Sequence, residues 1–274
     1  MSNKKRLYLN GCSFIDSEYI LNDNSPLCNI FYKYGAIEQP YASIKTSVGG
    51  HSNEAIFRRT YIDILKNDFD FVIISWSHPE RYFITDLAND IDYNILKEES
   101  DKQIGSHIYK DRIMYGYEGQ IPYHTKNGNE ILKFEPKGTD DTIFYTLSLH
   151  QLLKLKGIPH IFLNMGKLDE KVLFARESWI KFIDSKNYFS INPIDSILEK
   201  MKFSYVEYLQ QLTGKEMIKD IDIIRLKKEN NIDNVLDLKT DNPYVRDLAG
   251  HPSELGYDLF CKDLYDFIIK ENLV

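Results

Sequence analysis

The sequence predicts one α/β domain built on a parallel sheet, and three observations predict it. The chain opens as strand, turn and helix: Lys5 to Leu9 is a short strand that stops at Asn10-Gly11, and the residues after Ser13 can begin a helix. Two runs, Phe69 to Ser75 and His160 to Asn164, are β-rich and mostly apolar, as central parallel strands buried on both faces are. A helical stretch from Thr142 to Lys156 passes through Gly157-Ile158-Pro159 straight into the second run, which makes a helix-to-strand unit. A length of 274 residues suits a single domain of this class, here 1–274.

The remaining elements follow in order. Tyr41 to Thr46 reads as a second short strand leading into Ser47-Val48-Gly49-Gly50-His51-Ser52-Asn53. Glu54 to Lys66 carries Ile56, Phe57, Tyr61, Ile64 and Leu65 at helical spacing, with Ser52 or Asn53 as N-cap. Between about Asp86 and Asp141 the periodicity fades among charges, tyrosines and glycines, so 86–141 is expected to be an insertion, or lid, over the cleft. Residues 167–235 mix amphipathic stretches with polar loops and contain no named motif. Leu255 to Lys270 closes the chain as an amphipathic helix that buries Leu255, Leu259, Phe260, Leu264, Phe267 and Ile268.

Composition narrows the function. A net charge of -7 gives no positive field for phosphate backbones, so nucleic acid is not an expected partner. The basic start is followed by too short an apolar stretch for a signal-peptide core, and no run is long enough to span a bilayer. Cys12, Cys28 and Cys261 are odd in number, scattered and without metal-ligand spacing. That pattern fits a reducing, cytoplasmic setting, with neither a metal nor a cofactor expected. Aromatic residues reach 13%, with 19 Tyr and 15 Phe; such a surplus lines either the rim of a core or a sugar-binding cleft.

The chemistry lies at the two ends. A strand ending in a glycine turn sets Ser13 at the carboxyl edge of the sheet, where open α/β sheets hold ligands, although Ser13 could equally cap the next helix. Near the other end, Asp247-Leu248-Ala249-Gly250-His251-Pro252 places an acid and an imidazole before the last helix, with Pro252 keeping His251 in a loop. A serine hydroxyl needs such a base, and the base needs an orienting group.

Gly11-Cys12-Ser13-Phe14 resembles the Gly-Asp-Ser-Leu block of the SGNH, or GDSL-like, hydrolase superfamily. Gly250-His251-Pro252 with Gly256-Tyr257 resembles its last block, Gly49-Gly50-His51-Ser52-Asn53 its second, and Phe71 to His78 its third; the four occur in the family's order. The chain also resembles SGNH-like proteins encoded by bacteriophages. The resemblance implies a three-layer α/β/α sandwich with a five-stranded parallel sheet. It further implies a serine esterase acting on a small, acetyl-type ester of a carbohydrate or similar polar alcohol. Ser13 would be the nucleophile, His251 the base and Asp247 the orienting acid, with Ser13, Gly50 and Ser77 or Asn53 forming the oxyanion hole. Trp76, His78 and Arg81 would touch substrate, although Arg81 could instead pair with Glu80 or Asp86.

Three departures from the family pattern stand out. Cys12 replaces the family's aspartate and reads as a packed small residue, Ser77 stands where an asparagine is usual, and Asp247 is one residue further from the histidine than expected. Two other outcomes therefore stay open: an SGNH-fold binding or accessory protein with weakened catalysis, and an acyltransferase. His107, His124, His150 and His160 show no partner pattern and read as ordinary surface or core residues.

Overall fold

The computed structural model describes residues 5–12, 27–35, 42–46, 52–79, 107–109, 112–114, 120–125, 128–133, 138–191, 195–214, 243–244 and 252–274. Its centre is a parallel sheet of β1 (Arg6–Asn10), β2 (Ala42–Lys45), β3 (Phe71–Trp76) and, after four short strands described below, β8 (His160–Asn164), in the order β2-β1-β3-β8. Register is regular: Leu7 faces Ser43 on one side and Phe71 on the other, and Trp76 faces Asn164. The sheet thus has four strands among the described residues, where five were expected. Beyond β8 the pairing shrinks to one parallel bridge between Phe162 and Tyr188, closed by the Phe189 N–H donating to the Phe162 carbonyl at 3.0 Å.

Alternation along the strands divides the interior into two cores, which is why the central strands read as mostly apolar runs. Leu7, Leu9, Phe71, Ile73, Ile161 and Leu163 face one side. There they meet α1 (Ile30–Lys33), α7 (Tyr205–Thr213) and the closing helix α8 (Glu254–Lys270). Tyr8, Val72, Ile74, Trp76 and Phe162 face the other side. They pack on α2 (Asn53–Lys66), α3 (Gly138–Leu155), α4 (Glu170–Ala175), α5 (Glu177–Ile180) and α6 (Ile197–Lys202). Helices on both faces make a three-layer α/β/α sandwich.

Helix ends follow local chemistry. The Ser52 hydroxyl accepts from the Ala55 N–H at 3.2 Å and caps α2, and the Ser253 hydroxyl accepts from the Gly256 N–H at 3.1 Å and caps α8. Helix α3 begins at Gly138, before the expected Thr142 and inside the segment read as an insertion. The rest of that segment, where described, holds two antiparallel hairpins: β4 (His107–Tyr109) with β5 (Arg112–Met114), and β6 (Gln120–Thr125) with β7 (Gly128–Lys133). On α8, Leu255 is half exposed and not part of the buried stripe, because the capped first turn projects it away from the sheet; Tyr61 and Leu65 on α2 are exposed as well.

Several polar groups are drawn inside with their partners. Lys200 on α6 is only 3% exposed; its ammonium donates to the Ser185 carbonyl at 2.9 Å and lies 4.8 Å from the Phe267 ring centroid and 3.8 Å from the Glu271 carboxylate. Burial holds its pKa below the ordinary lysine value, against the pull of Glu271. Cys12, Cys28 and Cys261 are free thiols, all buried on the α8 side. Among the described residues, no helix is long and apolar enough to cross a membrane.

Candidate active site

Because β1, β2 and β3 are parallel, the segments that leave their carboxyl ends emerge at one edge of the sheet. These are Gly11-Cys12, which leads toward Ser13; Thr46, which leads toward Gly50; and Ser77-His78-Pro79. Ser13, Gly50, Arg81, Asp247 and His251 themselves lie outside the described residues. What the structure describes is the scaffold at the carboxyl ends of β1, β2 and β3, just before Ser13, Gly50 and Arg81 in sequence.

That scaffold is a set of buried hydrogen bonds between strand ends and helix α2. Asn10, the last residue of β1, is fully buried; its amide donates to the Ile56 carbonyl at 3.1 Å and the Thr60 hydroxyl at 2.8 Å. Its side-chain oxygen accepts the Gly11 N–H at 2.8 Å, which shapes the turn two residues before Ser13. The Thr46 hydroxyl donates to the Tyr8 hydroxyl at 2.8 Å, and Tyr8 donates to Asp63 on α2 at 3.0 Å. Burial raises the Tyr8 phenol above its ordinary pKa, so it stays neutral and remains a donor.

The segment after β3 is held even more closely. The Ser77 N–H donates to Asn53 Oδ1 at 2.6 Å, and Asn53 Nδ2 donates back to the Ser77 carbonyl at 3.3 Å. The other amide hydrogen of Asn53 goes to the Thr142 hydroxyl at 2.8 Å, and Thr142 donates to the Gly138 carbonyl at 2.5 Å. Gly138 is required where α3 passes this loop, since a Cβ there would overlap the Pro79 carbonyl. Gly166, just after β8, likewise leaves room for the His78 ring, whose Nδ1 would lie 2.5 Å from an added Cβ.

Two expected roles change. Trp76 was expected to touch substrate, but it is fully buried in the α2–α3 core, stacked on Phe162 with centroids 6.1 Å apart; it is the last strand residue and its side chain falls on the inner face. Asn53 was a candidate to donate to an oxyanion, yet both of its amide hydrogens are already held inside the fold. Ser77 is buried beside it, and His78 is half-buried on the same loop.

Sequence reading missed two features. Asn10 was seen only as a strand terminator; a polar residue ending a parallel strand just before a glycine was the signal. His150 and His160, read as unrelated, are hydrogen-bonded through Nδ1 of the first and Nε2 of the second at 2.8 Å. They lie at the opposite, amino end of β8, so they are not part of this edge.

No family model matches the chain, and no curated protein matches it. Among solved structures it is similar to TesA, with 10% identity over 97% of this chain and 99% of that one, at a TM-score of 0.42. It is similar to an esterase, EstA, from Pseudoalteromonas sp., with 11% identity over 97% and 98% of the two chains and a TM-score of 0.39. A lipase/acylhydrolase from Enterococcus faecalis shares 13% identity over 96% and 95%, with a TM-score of 0.36.

Proposed function

We propose that the chain is a serine hydrolase of the SGNH type that cleaves a small acyl ester, acetyl-type, from a carbohydrate or similar polar alcohol. The observation that carries the proposal is the common edge: the segments running to Ser13, to Gly50 and through Ser77 leave neighbouring parallel strands side by side. Buried asparagines at the end of β1 and the start of α2 hydrogen-bond Gly11 and Ser77 in two of them. An acyl-transfer site needs a nucleophile and several oxyanion donors that are already in place before reaction.

In the proposed mechanism, Ser13 Oγ attacks the ester carbonyl while His251 accepts its proton. The tetrahedral oxyanion is met by the N–H groups of Ser13 and Gly50 and by the Ser77 hydroxyl. Collapse expels the alcohol, which takes the proton back from His251. Water, activated by the same imidazole, then releases the acid and frees Ser13. Asp247 orients His251, His78 and Arg81 contact the substrate, and the part of segment 86–141 that precedes α3 forms the wall over the cleft. No cofactor enters this chemistry.

Turnover of p-nitrophenyl acetate and labelling by a fluorophosphonate test the proposal together. Ser13→Ala should lose the label and at least about 10³-fold of kcat. If that variant reacts as fast as the parent, Ser13 is not the nucleophile.

A further inference from the structure

We infer that Asn53 is a positioning residue of this site: it fixes the peptide groups of Ser77, at the carboxyl end of β3, against the start of α2, and so places the oxyanion donor Ser77. The inference rests on the hydrolase reading above. It gives a role to a buried side chain whose own hydrogens are unavailable to substrate.

Asn53 is the first residue of α2, and Ser52 before it caps that helix, so the backbone of Asn53 is set by the helix start. Its side chain grips the backbone of Ser77 from both sides, accepting the N–H at 2.6 Å and donating to the carbonyl at 3.3 Å. This two-point link therefore joins the start of α2 to the residue that follows β3. The orientation of the amide is not interchangeable. Turned over, it would set its NH₂ against the Ser77 N–H and its oxygen against the Ser77 carbonyl, donor to donor and acceptor to acceptor.

Thr142 fixes the same orientation from the far side. Its hydroxyl hydrogen is committed to the Gly138 carbonyl at 2.5 Å, so only its oxygen remains for Asn53, which donates to it at 2.8 Å. The loop is also hemmed in where Gly138 meets Pro79 and Gly166 meets His78. Those close approaches involve residues 78 and 79, and neither reaches the peptide groups of Ser77 as Asn53 does. Displacing a preorganised donor by about 1 Å can cost on the order of 10² in rate, so a link of this kind bears on the chemical step more than on substrate binding.

The test combines steady-state kinetics on p-nitrophenyl acetate with amide hydrogen exchange, in Asn53→Ala and in the milder Thr142→Val. In Asn53→Ala, kcat is expected to fall about 10²-fold while KM stays within about twofold, and the Ser77 amide is expected to exchange at least about tenfold faster. Thr142→Val should show the same pattern at smaller amplitude, and it carries the test if Asn53→Ala does not fold. Parental kcat in both variants, or a loss confined to KM, overturns the positioning role. An unaccelerated Ser77 amide overturns the link itself. A parent chain that never turns over the ester removes the hydrolase reading and the catalytic role of Asn53 with it, and exchange at Ser77 then decides only whether the link exists.

Discussion

At the scale of single residues, the histidine pair shows how fully hydrogen bonding can set protonation. The Ile158 carbonyl can only accept, so His160 must carry its proton on Nδ1, 2.8 Å away, and present Nε2 as an acceptor. His150 must then donate from Nδ1 at 2.8 Å, which leaves its Nε2 to accept the Asp184 N–H at 3.2 Å. Both rings are neutral in this chain of bonds, and burial pushes both pKa values down to about 4. Asp184, 3.5 Å from His150, opposes that fall, whereas Lys154, itself 3.0 Å from Asp184, favours it. The unfolded chain takes up these protons near the ordinary histidine value of about 6.5 and the folded chain refuses them until about 4, so stability must fall as pH drops through that interval. Urea midpoints measured from pH 7 to pH 5 should decline, and the decline should shrink in His160→Gln; equal slopes in parent and variant contradict the account. None of this was legible in the sequence, because ten positions separate the two rings and only the α3–β8 turn brings them together. Ser77 and His78 were legible as edge residues, since a strand end dictates where the next residues go. The fate of Trp76 was not, since the parity of the strand decides which face its ring takes.

At the scale of elements, the strand centres could be read directly, the cap of α2 to within Ser52 or Asn53, and the boundaries less well. Ser52 announced the start of α2 because its hydroxyl satisfies an N–H that the helix leaves open. Helix α3 gave no such warning: it starts at a glycine, a poor helix former, which is there for clearance from Pro79. Gly138→Ala is accordingly expected to destabilise the fold by about 1–3 kcal/mol, in spite of alanine's higher helix propensity, because the methyl group must displace a backbone carbonyl. Thermal melts decide the point, since a rise in Tm would mean that the loop gives way freely. The weak outer pairing at Phe162 and Tyr188 was equally hidden, because a single bridge needs no run of β-formers.

At the scale of the whole molecule, the two-sided core was the most legible feature, since mostly apolar central strands demand helices on both faces. The tyrosine surplus resolves in part here: Tyr8, Tyr188, Tyr205, Tyr208 and Tyr257 are all buried in the two cores. Tyr208 reaches Asp263 at 2.9 Å, and Tyr205 and Tyr208 both pack edge-on to Phe260. What sequence left unread was how Lys200 on α6 meets the end of α8, because the two lie far apart along the chain.

That lysine offers a clock. The Lys200 amine is sealed behind Phe267 and Glu271, whereas Lys262 on the same closing helix stands in solvent. An acylating reagent that needs a free, unprotonated amine should therefore mark Lys262 at once and Lys200 only as often as the carboxyl-terminal end of the helix lifts away. Mass spectrometry of the two peptides over time would time that opening, and equal labelling rates would mean that the seal is not there.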